Sequence, residues 1–275
     1  LKIFKIKKYK SYVYSYLFLI LFLATSCSGR ISHMEAFSSE INRQNDVVMH
    51  YELLDYESLP NEVKKDSVRT TVGAVVLKVA TLDQEPRYKL FRRSLNELTY
   101  LGDFWADDEG RLVSKERKFL DSYYYPYTRC LEGQWFDFAI VKNEWFEDEK
   151  VAAMVRITPR KKEVFGENGK HLYLELASEN AEIYLLRGEG YSYHQDLYIE
   201  LQANGEVLQS LIKADEKGEF KMALNSRMEE IYGGKGSVRV SPVDRNAGEA
   251  LLLEFNWGIS AFEETKQFYN TIGSR

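Results

Sequence analysis

Short segments in which apolar and polar residues alternate recur through the second half of this chain. His171-Leu-Tyr-Leu-Glu-Leu-Ala177 and Asp196-Leu-Tyr-Ile-Glu-Leu201 alternate most cleanly. Segments over 206–213, 219–224, 237–240 and 250–255 continue the series. Period two buries one face of a strand and wets the other, so such segments belong in sheets with one dry side. Turn residues separate them: Glu167-Asn-Gly169, Ser178-Glu-Asn180, Ala203-Asn-Gly205, Glu216-Lys-Gly218 and Arg245-Asn-Ala-Gly248. Short strands at roughly 8–12-residue spacing predict a β-sandwich.

The first half is less regular and still strand-rich. Val47 to Leu54 alternates in part, and Thr70 to Val79 is long and β-branched, with Gly73 placed for a bulge. Pro60 to Asp66 fits a helical turn or a loop. Arg87 to Leu101 reads as strand, Ser114 to Asp121 as a short helix, and Lys150 to Thr158 as a strand that stops at Pro159. Near the end, Ser260 and Glu263 have capping-box spacing, which predicts a helix docked by Phe262 and Phe268. The fold expected is mainly β: two consecutive β-sandwich domains, over 44–158 and 159–258, then a C-terminal helix or tail over 259–275.

Ahead of these lies a different kind of segment. Lys2, Lys5, Lys7, Lys8 and Lys10 precede the apolar run Tyr12–Ala24, then Thr25-Ser26-Cys27. The run is shorter than the ~20 residues a transmembrane helix needs, and a basic start, apolar stretch and small residues describe an export signal. A cysteine at this place resembles the lipobox of bacterial lipoproteins, although Ala24 stands where that family prefers Leu. The resemblance implies a signal peptide over 1–26, acylation of Cys27 and a tether over 27–43. Ser28, by the sorting habit of enteric lipoproteins, implies an outer-membrane lipoprotein of the cell envelope. Cleavage at the same bond by an ordinary signal peptidase and an uncleaved anchor remain alternatives.

Losing five lysines and no acid takes the net charge from −5 to −10. A chain this acidic is a poor candidate for general nucleic-acid binding, which relies on basic surface. Only Cys27 and Cys130 occur, so a disulfide-built fold is excluded once Cys27 is acylated. Cys130, among aromatics, reads as a small buried hydrophobe.

Two stretches also resemble immunoglobulin-like modules of bacterial surface proteins. Arg187-Gly-Glu-Gly-Tyr191 before a strand matches their "G-x-G-[FY]" opening, and Ala214-Asp-Glu-Lys-Gly-Glu-Phe220 their "A-D-x-x-G-x-F" turn. The resemblance implies a sandwich from near Arg160 to Trp257 that acts as a spacer or binding scaffold.

Sites of chemistry are scarce. His33, His50, His171 and His194 have no metal-ligand spacing, and no G-x-S-x-G elbow occurs. Gly233-Gly-Lys-Gly-Ser237 lacks phosphate-loop spacing and reads as a hairpin loop before a strand. The acidic groups at 103–109 and 144–149 lack EF-hand order and read as solvated loops. Aromatic residues are the one excess: Tyr123, Tyr124, Tyr125, Tyr127, Trp135 and Trp145 crowd a short stretch and form the candidate binding surface. The expected role is structural or binding, without catalysis, cofactor or metal. Its partners are the membrane, through acyl chains on Cys27, and an envelope protein or glycan. The competing reading is an envelope hydrolase acting on glycan or peptidoglycan through a carboxylate pair in the first domain.

Overall fold

The computed structural model describes residues 49–66, 70–80, 82, 87–143, 150–226, 231–244 and 248–273. Its first half contains β1 (Met49–Asp55), α1 (Asn61–Asp66), β2 (Thr71–Val79), β3 (Arg87–Arg93), β4 (Leu98–Ala106), β5 (Leu112–Ser114), β6 (Tyr125–Thr128), β7 (Phe136–Asn143) and β8 (Lys150–Ile157). These strands form two antiparallel sheets, β1-β2-β6 and β5-β4-β3-β7-β8. Val75 and Leu77 from the smaller sheet meet Tyr88, Leu90, Phe104, Phe138 and Ile140 from the larger in one core. β2 is buried on both faces because it is central in its sheet and also packs on the turn Tyr56–Ser58. The pairing of β2 with β6 slips between Thr71 and Gly73, where any Cβ would strike the Leu54 carbonyl and the Tyr127 ring.

The second half contains β9 (Lys162–Phe165), β10 (His171–Leu176), β11 (Ile183–Glu189), β12 (Asp196–Ala203), β13 (Glu206–Lys213), β14 (Phe220–Asn225), β15 (Gly233–Pro242) and β16 (Leu251–Gly258), then α2 (Ile259–Gly273). Its sheets run β14-β11-β10-β9 and β13-β12-β15-β16. The chain changes sheet after β11, β13 and β14, which gives an immunoglobulin-like Greek key with β9 as an added edge. The alternating residues converge as their period requires. Leu172, Leu174 and Leu176 of β10 face Leu197, Ile199 and Leu201 of β12, around the fully buried Trp257. The turn Asn204-Gly205 has φ of 50° and 84°, the left-handed pair demanded by a two-residue hairpin.

The two resembling stretches interlock. The Phe220 ring fills the space a side chain at Gly188 would take, and it packs on Tyr191 with centroids 5.4 Å apart. Tyr191 N–H donates to the Gly218 carbonyl (3.1 Å), and Asp215 Oδ1 accepts from the amides of Lys217 (2.8 Å) and Glu219 (2.9 Å).

Four local expectations change. Arg87 to Leu101 is two strands joined by a turn closed by Ser94 N–H to Glu97 O (2.9 Å). Ser114 to Phe119 is not helical, since Arg117 at φ 61° closes a tight turn after β5, and only Leu120–Ser122 forms a single 3-10 turn. Gly233 to Gly236 belongs to β15 itself, where the missing side chains make room for the Trp257 and Phe255 rings. α2 starts at Ile259, so Ser260 lies inside the first turn. The helix docks by Ala261, Thr265 and Tyr269, one face at i, i+4 spacing, while Phe262 stays exposed and Phe268, partly exposed, contributes its ring face to Arg160. Among the described residues, no helix is long and apolar enough to cross a membrane.

Gly188→Ala should push the Phe220 ring out of its seat and destabilise the chain by about 1–3 kcal/mol. Urea denaturation would register this as a lower midpoint with an unchanged slope.

Candidate functional site

The crowded aromatic stretch divides between the interior and the surface. Trp135 is 6% exposed and Tyr125 9% exposed, whereas Tyr123, Tyr124 and Tyr127 are half-buried. Trp145 lies outside the described residues, as does Cys27. Tyr125 and Trp135 are therefore corrected as parts of a binding surface, because both are buried. Tyr125 belongs to the first core, and Trp135 serves the seam between the sandwiches, where both ring face and N–H find partners.

At that seam Trp135 Nε1 donates to the Leu176 carbonyl of β10 (3.0 Å), and the Arg156 guanidinium lies 4.1 Å from its ring centroid. Asp137, 1% exposed, accepts from Arg93 and from Arg156 Nε (2.7 Å) and Nη2 (3.0 Å). Arg156 Nη1 continues to Glu175 Oε1 (3.0 Å), whose Oε2 accepts from Arg187 Nε (2.6 Å). Alternating charge thus runs from β3, β7 and β8 into β10 and β11. A second clasp surrounds Arg160, between β8 and β9. It donates to Glu264 Oε1 (2.8 Å), Thr265 Oγ1 (3.0 Å) and the Cys130 carbonyl (3.2 Å), and lies 4.0 Å from the Phe268 ring centroid. Cys130 N–H donates to Tyr269 Oη (3.2 Å). Cys130 is buried there, as expected, and burial pushes its thiol up to about 12, far from a nucleophile's range.

The open site is a cleft of about 610 Å³ in the first sandwich. β5 pairs only with Phe104–Ala106, and beyond it the edge of β4 has no strand partner among the described residues. The cleft follows that edge. Its walls are Arg87, Leu101 to Trp105, Ser114 to Glu116, Tyr123 and Tyr125. Trp105 is 39% exposed, with Arg87 5.7 Å from its ring centroid and paired with Asp103. Tyr123 meets Phe104 edge-on at 5.8 Å and donates to Ser114 Oγ (2.7 Å), near Glu116 Oε2 (3.4 Å). The Tyr125 hydroxyl is buried and has no hydrogen-bond partner among the described residues.

The Arg87 hydrogen bond holds the Asp103 carboxyl below the usual range, and the Glu116 carboxyl is lowered by its own amide and by Ser114. Aromatic crowding pointed to Tyr123 and Tyr125. Trp105 and the Ser114 to Glu116 wall went unforeseen, because their meeting depends on a strand that ends early. The acidic residue Asp107 instead closes its own turn, accepting from the amides of Glu109 (3.0 Å) and Arg111 (2.9 Å). His171 is satisfied by Glu163 (3.0 Å). Among the described residues, no group of three or more His, Cys, Asp or Glu is placed to hold a metal.

Asp137→Ala should remove the carboxylate that Arg93 and Arg156 share at the seam and lower stability by about 3 kcal/mol. Limited proteolysis should then cut sooner near residues 158–161. Lowered folded pKa values stabilise above the unfolded values of about 3.9 and 4.3 and are lost as pH falls through the folded ones. Asp103→Asn should therefore lower the thermal midpoint at pH 7 and flatten its decline below about pH 4.

No family model matches the chain, and no curated protein does. Among solved structures it is similar to a tetra-tandem repeat in the extending region of a large adhesion protein, at 10% identity and TM-score 0.25, over 77% of this chain and 49% of that one. It is also similar to a two-fibronectin-type-III-domain segment of chicken tenascin, at 10% identity and TM-score 0.22, over 67% and 91%. A third is a Ca²⁺-stabilized adhesin that helps an Antarctic bacterium bind ice, at 12% identity and TM-score 0.23, over 78% and 48%. The chain spans about half the length of the two adhesion-protein chains.

Proposed function

We propose that this chain is an exported, lipid-anchored protein of the cell envelope with a non-catalytic binding or structural role. Acyl chains on Cys27 hold it at the outer membrane, and residues 27–43 form the tether. Fully extended, a tether of that length reaches about 55 Å. The anchor rests on the Lys2–Cys27 sequence, and the observation that supports the binding or structural role is the seam, which braces two sandwiches into one presenting unit while the cleft stays open at its far side. Arg93 at one end of β3 belongs to the seam and Arg87 at the other end to the cleft, about 20 Å away along the strand.

For the hydrolase reading, the carboxylates that line the cleft are Asp103 and Glu116. Glycoside hydrolysis needs one carboxylic acid kept protonated by a raised pKa. Both groups are shifted the other way, so the cleft suits binding rather than acid catalysis.

Fractionation of cells expressing the full chain and Cys27→Ala tests the anchor. The wild type should partition with membranes and carry an N-terminal peptide heavier by its acyl chains. The variant should accumulate as a soluble or precursor form. An unmodified N-terminus at Cys27 in a soluble wild-type protein would sink the lipid-anchor reading.

A further inference from the structure

We infer that the cleft beside β4 binds a neutral saccharide, by stacking on Trp105 and hydrogen bonding to the acids and hydroxyls around it. The inference rests on the non-catalytic binding role and adds its ligand class. The cleft volume, about 610 Å³, falls within the range of roughly 300–1,000 Å³ usual for small-molecule sites.

Charge selects against ions. Arg87 and Lys115 are matched in the walls by Asp103 and Glu116, so the lining carries no net charge to draw in an anion or cation. What remains is a set of fixed donors and acceptors beside an accessible indole. Carboxylates accept from vicinal hydroxyls, and an aromatic face covers the C–H side of a sugar ring. Tyr125, 9% exposed, lines the cleft together with Tyr123.

A peptide strand fits this edge less well. β4 is irregular where the cleft begins: its register on β3 shifts between Leu90 and Phe91, leaving Leu101 outside the pairing beside Gly102 at φ 155°. Such a bulge breaks the even row of amides and carbonyls that an added strand would need.

The test is an NMR titration of the chain with three neutral pentasaccharides: N-acetylglucosamine pentamer, maltopentaose and mannopentaose. Four tryptophans give four indole N–H signals, and Trp105→Ala identifies its own by deletion. At least one pentasaccharide should move the Trp105 signal while the buried Trp257 signal stays still. Affinity, followed by backbone amides of the cleft, should fall about tenfold in Trp105→Ala, or 1.4 kcal/mol, with a smaller loss in Tyr123→Phe. Trp105 lies at the surface, and unchanged Trp135 and Trp257 signals in its variant confirm the fold. No response to any of the three, or undiminished binding in Trp105→Ala, overturns the saccharide site even if Cys27 still anchors the chain. Cleavage of a bound pentasaccharide leaves the site standing and instead overturns the non-catalytic role.

Discussion

The buried carboxylate of Asp137 organises the middle of this molecule. Taken out of water on β7, it is tolerable only with cations on it, and Arg93 and Arg156 supply them from the neighbouring strands. Arg156 is then committed to a position from which it also reaches Glu175 and lies over Trp135. Glu175 belongs to the other sandwich, so satisfying one charge in the first half orients the second half. The Arg160 clasp extends the same logic to α2, where Glu264 and Thr265 complete a guanidinium that could not otherwise be buried.

This bracing separates two demands on one chain. The seam gathers Trp135, Cys130 and the arginine ladder into a closed contact. At the other end of β3 the sheet is left incomplete, because β5 is only three residues long and covers one part of β4. An unfinished edge beside Trp105 and Tyr123 produces a cleft with no dedicated loop to build it. Rigidity at one end and exposure at the other suit a module that presents a surface.

Most of the architecture could be read from residue order. The alternation in β10, β12 and β16 named both the strands and their inward faces, and Asn204-Gly205 named its hairpin. Gly188 and Phe220 were visible as parts of two separate patterns, but nothing in the order of residues said that one was the seat of the other. Local signals failed where geometry was set from outside. The Lys-Glu-Arg-Lys run at 115–118 has helical composition, yet pairing of β5 with β4 forces a turn there. Phe262 and Phe268 drew attention as large apolar groups, yet the docked face is the one carrying the small Ala261.

The sequence by itself determined the β class and, in the second half, most strand positions and their buried faces, because period two and turn chemistry act over neighbouring residues. Only the tertiary structure decided that Trp135 is a seam residue rather than a surface one, and that Arg87, Trp105, Ser114 and Tyr123 share a cleft. Both outcomes depend on contacts between residues far apart in the chain, and charge partners and sheet edges have no periodic signature. Asp137 alternates along its strand like any outward polar residue. Its burial comes with Arg93 and Arg156 on its carboxylate, and Arg156 reaches Glu175 of the second sandwich.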